Sequence, residues 1–161
     1  MAAVDGAWGM VDEYNYNGGI GGYVKDASGK LILMFSGPVK SSSALESEVE
    51  AIIFVINWML SLKMLFRRLV ICSDSSVAVN SLNEGISIKF PVRALNFFHQ
   101  GLINSSIFVQ FVPRYLNEQA DELAKKGLHR FSMFQKVMGP IRPNGDLSVP
   151  SPAACSTLGD L

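Results

Sequence analysis

The sequence predicts an α/β domain built on a mixed sheet. Short runs with strand-like patterning open the chain, and a long apolar helical stretch follows them. Strand and helix patterns then alternate as far as Leu128. Three strands, then helix, strand, helices, strand and helix imply five strands of mixed direction with helices packed on them.

Residues 2–8 read as the first strand, and a polar loop rich in Gly and Asn runs from Asp12 to Gly18. Ile20 to Lys25 is the second strand, Asp26-Ala27-Ser28-Gly29 a turn, and Lys30 to Phe35 the third strand, ended by Pro38. Ser41 to Ser43 supply capping hydroxyls for a helix from Leu45 to Met64. Apolar residues lie on nearly all its sides, which predicts burial between the sheet and other helices. Leu69 to Cys72 is the fourth strand, and a helix runs from about Asp74 to Asn83. Phe90-Pro91 starts another helix, with proline suited to the first turn, reaching about Ile103. Ile107 to Val112 is the fifth strand, broken by Pro113, and Asn117 is placed to cap a last helix through Leu128. Pro140, Pro143, Pro150 and Pro152 leave little to pack beyond Gly139. The expected organisation is one domain over 1–132 and a poorly ordered Pro/Ser-rich tail over 133–161.

A length of 161 residues suits one domain with a sizeable core. Fourteen basic residues balance fourteen acidic ones, so nucleic-acid binding would depend on a local patch. Lys63, Arg67 and Arg68 are the clearest basic cluster, though they read rather as a solvated helix end complementing the dipole. Cys72 falls in a buried strand and Cys155 in the polar tail, which argues against a disulfide framework. No signal-like segment opens the sequence, and the expectation is an intracellular protein, in nucleus or cytoplasm. Ala51 to Phe66 is apolar, but it contains Asn57 and Lys63 and falls short of the roughly 18 apolar residues of a spanning helix. It reads as a buried helix, with no membrane partner.

Four carboxylates stand out, and each also has an ordinary reading. Asp5 is an acid inside an apolar strand, or the start of an Asp5-Gly6 hairpin turn. Glu48 heads a stripe of Ala51, Ile52, Val55 and Met59, which aims it at the core or a cleft; it is otherwise a first-turn acid satisfied by the helix dipole. Asp74 ends a strand where α/β sheets bind ligands, or caps the next helix. Asp121 lies in the first turn of the last helix, where dipole complementation alone would explain it.

The order of several segments is more specific than any one acid. Val4-Asp5-Gly6-Ala7, Gly18 through Lys30, Glu48 through Ile52, Ser73-Asp74-Ser75, Val112-Pro113-Arg114 and Asn117 through Ala124 follow in sequence. Together they resemble the plant branch of the type 1 ribonuclease H-like family, often found in retroelement-derived proteins, over about residues 2 to 130. The resemblance implies a five-stranded mixed sheet with flanking helices. It also implies an endoribonuclease that hydrolyses the RNA strand of RNA–DNA hybrids, leaving 5′-phosphate and 3′-hydroxyl ends.

By the same resemblance, Asp5, Glu48, Asp74 and Asp121 are catalytic and hold two Mg²⁺ ions, for which Mn²⁺ can substitute. Hard ions of this kind take carboxylate oxygens and keep water, and a pair of them activates the attacking water and stabilises the leaving oxygen. Asp5 would bridge both ions, Glu48 and Asp74 would hold the one near the leaving group, and Asp121 would complete the other. Gly6, Gly19, Gly21, Ser75, Arg114 and Asn117 are the expected substrate-binding residues. Gly18 to Gly22 would let the backbone approach the wide minor groove where 2′-hydroxyls show, or would simply form a tight strand start. The expected partner is an RNA–DNA hybrid, the expected state a monomer, and the expected context a longer reverse-transcriptase-type polyprotein.

Two features depart from the family pattern. The loop Val112 to Leu116 has no histidine before the last acid, and Arg114 there is suited to phosphate but not to acting as a base. His99 and His129 read as structural or surface residues. Only four residues precede Asp5. A catalytically weak or inactive nucleic-acid-binding relic is therefore the alternative reading, and a structural domain with an idle metal site a third.

Overall fold

The computed structural model describes residues 1–13, 15–61, 68–84 and 107–138. The helix expected near 90–103, the basic residues Lys63 and Arg67, His99, Cys155 and the tail from residue 139 lie outside the described residues.

Strand β1 (Ala2–Met10) pairs antiparallel with β2 (Tyr16–Lys25), and β2 with β3 (Leu31–Val39). Helix α1 (Ala44–Ser61), β4 (Leu69–Ser73) and α2 (Ser76–Glu84) follow. Then come β5 (Ile107–Phe111), a 3-10 turn (Arg114–Leu116), α3 (Glu118–Leu128) and β6 (Phe134–Val137). The sheet order is β5-β4-β1-β2-β3-β6, with β1, β4 and β5 parallel and the rest antiparallel. The sheet therefore has six strands where the sequence predicts five. The sixth, β6, comes from residues that read as the head of the tail, and it pairs with β3 from Leu33↔Val137 to Ser36↔Phe134.

Two strand boundaries also move. Pairing from Asp5↔Gly21 to Met10↔Tyr16 draws the start of the Gly-rich segment into the sheet, because ladder hydrogen bonds outweigh glycine's weak strand preference. Pro38 does not end β3: it lies beyond the stretch covered by β6, at an edge position where proline is tolerated.

Side chains alternate between two layers. Val4, Ile20, Val24, Leu33 and Phe35 face α1, where Ile52, Val55, Ile56 and Met59 fill one core. Ala3, Tyr23, Val70, Cys72 and Val112 form a smaller cluster together with Leu116. Helix α3 covers β1, β2 and β3. Ser43 caps α1 as expected, its hydroxyl accepting the Glu46 N–H at 3.1 Å. Glu46 reaches back to accept the Ser42 N–H and hydroxyl, both at 2.6 Å, which holds its carboxyl below the usual range. Among the described residues no helix is long and apolar enough to cross a membrane.

Candidate active site

Registered pairing of β1 with β4 stops at Ala3↔Cys72. Asp5 and Asp74 each stand two residues further on, abreast where the two parallel strands part. Helix α1 brings Glu48 to the same place, and carboxylate oxygens of Asp5, Glu48 and Asp74 lie within 4.8 Å of one another. Asp5 is 4% exposed, inside an uninterrupted strand, so the hairpin-turn reading of Asp5-Gly6 does not hold.

Crowding three acids in a buried crevice has a direct electrostatic consequence. Burial, then the charges of Glu48 and Asp74, push the Asp5 carboxyl up to about 10. Burial also pushes Glu48 up to about 7, opposed by its hydrogen bond with Asp5 and by the Gly6 N–H, which donates to Oε2 at 3.3 Å. The directions of these shifts place a proton on Asp5, donated toward Glu48. A divalent cation would replace that proton, and a hard oxygen donor set on three elements suits one.

The glycines serve packing. A Cβ on Gly6 would stand 2.2 Å from the Glu48 nitrogen, so α1 reaches the crevice only because Gly6 has no side chain. The sequence suggests close approach of a substrate at Gly18 to Gly22; in the structure the protein's own atoms crowd Gly18, Gly19, Gly21 and Gly22. Cβ atoms on Gly19 and Gly21 would meet α3 backbone at 2.3 and 2.2 Å, and both residues are buried. On Gly18 the added atom would meet the Ser41 hydroxyl at 2.2 Å.

Asp74 is not the cap of α2. Ser75 is, accepting the Ala78 N–H at 3.3 Å, which leaves the Asp74 carboxylate for other partners. Arg114 Nε donates to Asp74 Oδ2 at 3.2 Å, from a side chain 86% exposed to one 5% exposed. Asn117 does not cap α3 with its side chain either. Its Nδ2 turns inward to the Val4 carbonyl at 2.9 Å and Asp74 Oδ1 at 3.4 Å, where a buried main-chain acceptor gains more than a solvated helix end. Asn117 Oδ1 is buried without a hydrogen-bond partner. Asp121 lies outside the 4.8 Å group, and Lys125 bonds its carboxylate instead.

Three of the four acids singled out from the sequence thus converge, and the fourth stands apart with a lysine. Lys125 does not stand out in the sequence, although its spacing of four from Asp121 on a helix marks a side-chain pair. Gly6, expected at the substrate, sets the approach of α1. His129 follows α3, its N–H donating to the Lys126 carbonyl at 3.2 Å, away from the acids.

Comparison with known proteins agrees with this architecture. Residues 3–127 match the family model described as reverse transcriptase-like. No curated protein matches the chain in sequence. Among solved structures, the chain is similar to the ribonuclease H1 of the halophilic archaeon Halobacterium salinarum, at 20% identity and a TM-score of 0.64, covering 79% of this chain and 95% of that one. It is likewise similar to LC11-RNase H1 in complex with an RNA/DNA hybrid, at 19% identity and a TM-score of 0.62, covering 79% and 94%. A foamy viral protease-reverse transcriptase in complex with RNA/DNA hybrid gives 18% identity and a TM-score of 0.64, covering 80% of this chain and 20% of that one. Since the family match spans most of the sequence and the sheet carries the same fold, this chain belongs to the reverse transcriptase-like family as a type 1 ribonuclease H-like domain.

Proposed function

We propose that the chain is a divalent-metal-dependent endoribonuclease that hydrolyses the RNA strand of RNA–DNA hybrids. The observation that carries this reading is the Asp5–Glu48–Asp74 cluster, three carboxylates within 4.8 Å in a crevice at the split between parallel strands. Without a cation the charges of Glu48 and Asp74 and burial keep a proton on Asp5, and Mg²⁺ or Mn²⁺ is the ion such oxygens suit in its place. When bound, such an ion supplies a Lewis acid that polarises the phosphodiester and eases deprotonation of the attacking water.

The chain's own groups divide the remaining work. Asp5 gives up its proton when the cluster is occupied, and Glu48 is held in line by the Gly6 N–H. Arg114, anchored to Asp74 through Nε, keeps its terminal nitrogens toward solvent, where they can donate to a phosphate oxygen of the substrate. Asn117 fixes Asp74 against β1. The hybrid as substrate is inferred from the neighbours whose structures hold one, and the reverse transcriptase-like match supports an origin in a reverse-transcribing element. Arg114 and Lys125, each holding one acid, favour a second reading, in which the same fold binds nucleic acid without cutting it.

Incubation with an RNA–DNA hybrid, with duplex RNA and duplex DNA as controls, separates the two. Cleavage of the RNA strand in Mg²⁺ or Mn²⁺, lost in chelator and in Asp74→Asn, is the expected result. Folded protein that binds the hybrid and cuts nothing with either ion establishes the second reading.

A further inference from the structure

Asp121 is the acid that the resemblance assigns to the metal centre and that the structure leaves outside the 4.8 Å group. One helical turn on, Lys125 Nζ bonds its Oδ2, with side-chain exposures of 65% for the lysine and 28% for the acid. Arg114 does the same for Asp74. The Asp74–Asp121 side of the crevice therefore carries two cations of the chain's own, both from the segment around α3. No ion pair is found for Asp5 or Glu48 among the described residues.

We propose that Lys125 sets the metal count: the chain binds one divalent ion tightly at Asp5, Glu48 and Asp74, and admits a second beside Asp121 only by displacing the Lys125 ammonium. This rests on the metal-centre reading of the three-acid cluster. A dication approaching Asp121 meets a like charge already on that carboxylate, so it must both break the pair and work against repulsion. An exposed pair four residues apart on a helix is a weak interaction, so Lys125 is a competitor rather than a plug, and higher ion concentration displaces it. Arg114 pairs with Asp74 alone, so among the described residues the Asp5–Glu48 side of the cluster carries no ion pair.

Mn²⁺ titration of the full chain, counting bound ions by electron paramagnetic resonance, tests this without reference to cleavage. Wild type should take up one tight ion, with a second appearing at a clearly higher concentration. Lys125→Gln should tighten the second ion by roughly two- to fivefold and leave the first unchanged. Lys125→Arg, which keeps the charge, should behave as wild type, and Asp121→Asn should remove the second ion. Two equally tight ions in wild type, or a second ion indifferent to Lys125→Gln, would overturn the role of Lys125 while leaving the metal centre standing. No bound ion in folded wild type removes the centre itself, and with it the endoribonuclease reading and the role given to Lys125.

Discussion

Gly6 and Glu48 are in contact through the backbone: the Gly6 N–H donates to Glu48 Oε2 at 3.3 Å, and a Cβ on Gly6 would stand 2.2 Å from the Glu48 nitrogen. One residue thus sets both how near α1 comes to β1 and where the Glu48 carboxylate points. The atoms in the way are backbone, so they cannot swing aside as a flexible side chain would. Gly6→Ala should therefore push α1 outward and cost about 3 kcal/mol, the upper part of the range for overpacking. Urea unfolding measures that loss, and titration with Mg²⁺ should show weakened stabilisation in the same variant. Stability within about 0.5 kcal/mol of wild type would mean that α1 is not held at this distance.

Asp5→Asn should stabilise the metal-free protein at neutral pH while abolishing cleavage. Asp5 is raised from 3.8 to about 10, so the folded state keeps a proton that the unfolded chain loses. Its contribution is fully present below pH 3.8 and declines as pH rises toward 10. Between pH 4 and 7 the decline is about 4 kcal/mol at the linkage slope, and Glu48, raised to about 7, acts in the same direction. Asparagine has no such proton to lose. In chelator, the melting temperature of the variant should exceed that of wild type by a margin that widens with pH. Adding Mg²⁺ should reverse the order, and wild type should gain more from the ion at higher pH because binding releases the Asp5 proton. Equal pH profiles in chelator would show that the three acids are not crowded as described.

Much of this site is legible along the chain, and the failures have a common cause. Glu48 is readable because its stripe of Ala51, Ile52, Val55 and Met59 is local, and all four residues are buried as the helical spacing requires. Asp5 has two readings in the sequence because an Asp-Gly pair makes local sense as a turn; pairing with Gly21 removes that reading, and sequence distance hides the partner. Gly19 and Gly21 look like openings for a substrate because the α3 backbone that fills the space lies about a hundred residues later. Strand β6 is invisible for a related reason. Phe134 to Val137 are exposed at every position, so no inward-outward alternation marks them, and only the open edge of β3 makes them a strand.

Asn117 offers the sharpest test of how the crevice is held open. Its amide nitrogen ties the Val4 carbonyl to Asp74 at the split between β1 and β4, while its Oδ1 is buried without a partner. Asn117→Ala removes both donors but also removes the orphaned acceptor, so part of the loss is offset, and about 1–2 kcal/mol of destabilisation is expected. Asn117→Asp keeps the shape, deletes the donor and sets a fourth carboxylate against Asp74, beside a carbonyl that then faces an anion. It should therefore be the worse variant at neutral pH, by a further 1–3 kcal/mol or so, and should recover as pH falls and the new acid takes a proton. Divalent ion should narrow the gap, since the added charge then has a counter-ion. Chemical unfolding of both variants at two pH values, with chelator and with Mg²⁺, measures each part. If alanine proves worse than aspartate at neutral pH without metal, Asn117 acts by filling space, and its bridge from Val4 to Asp74 is not what fixes the crevice.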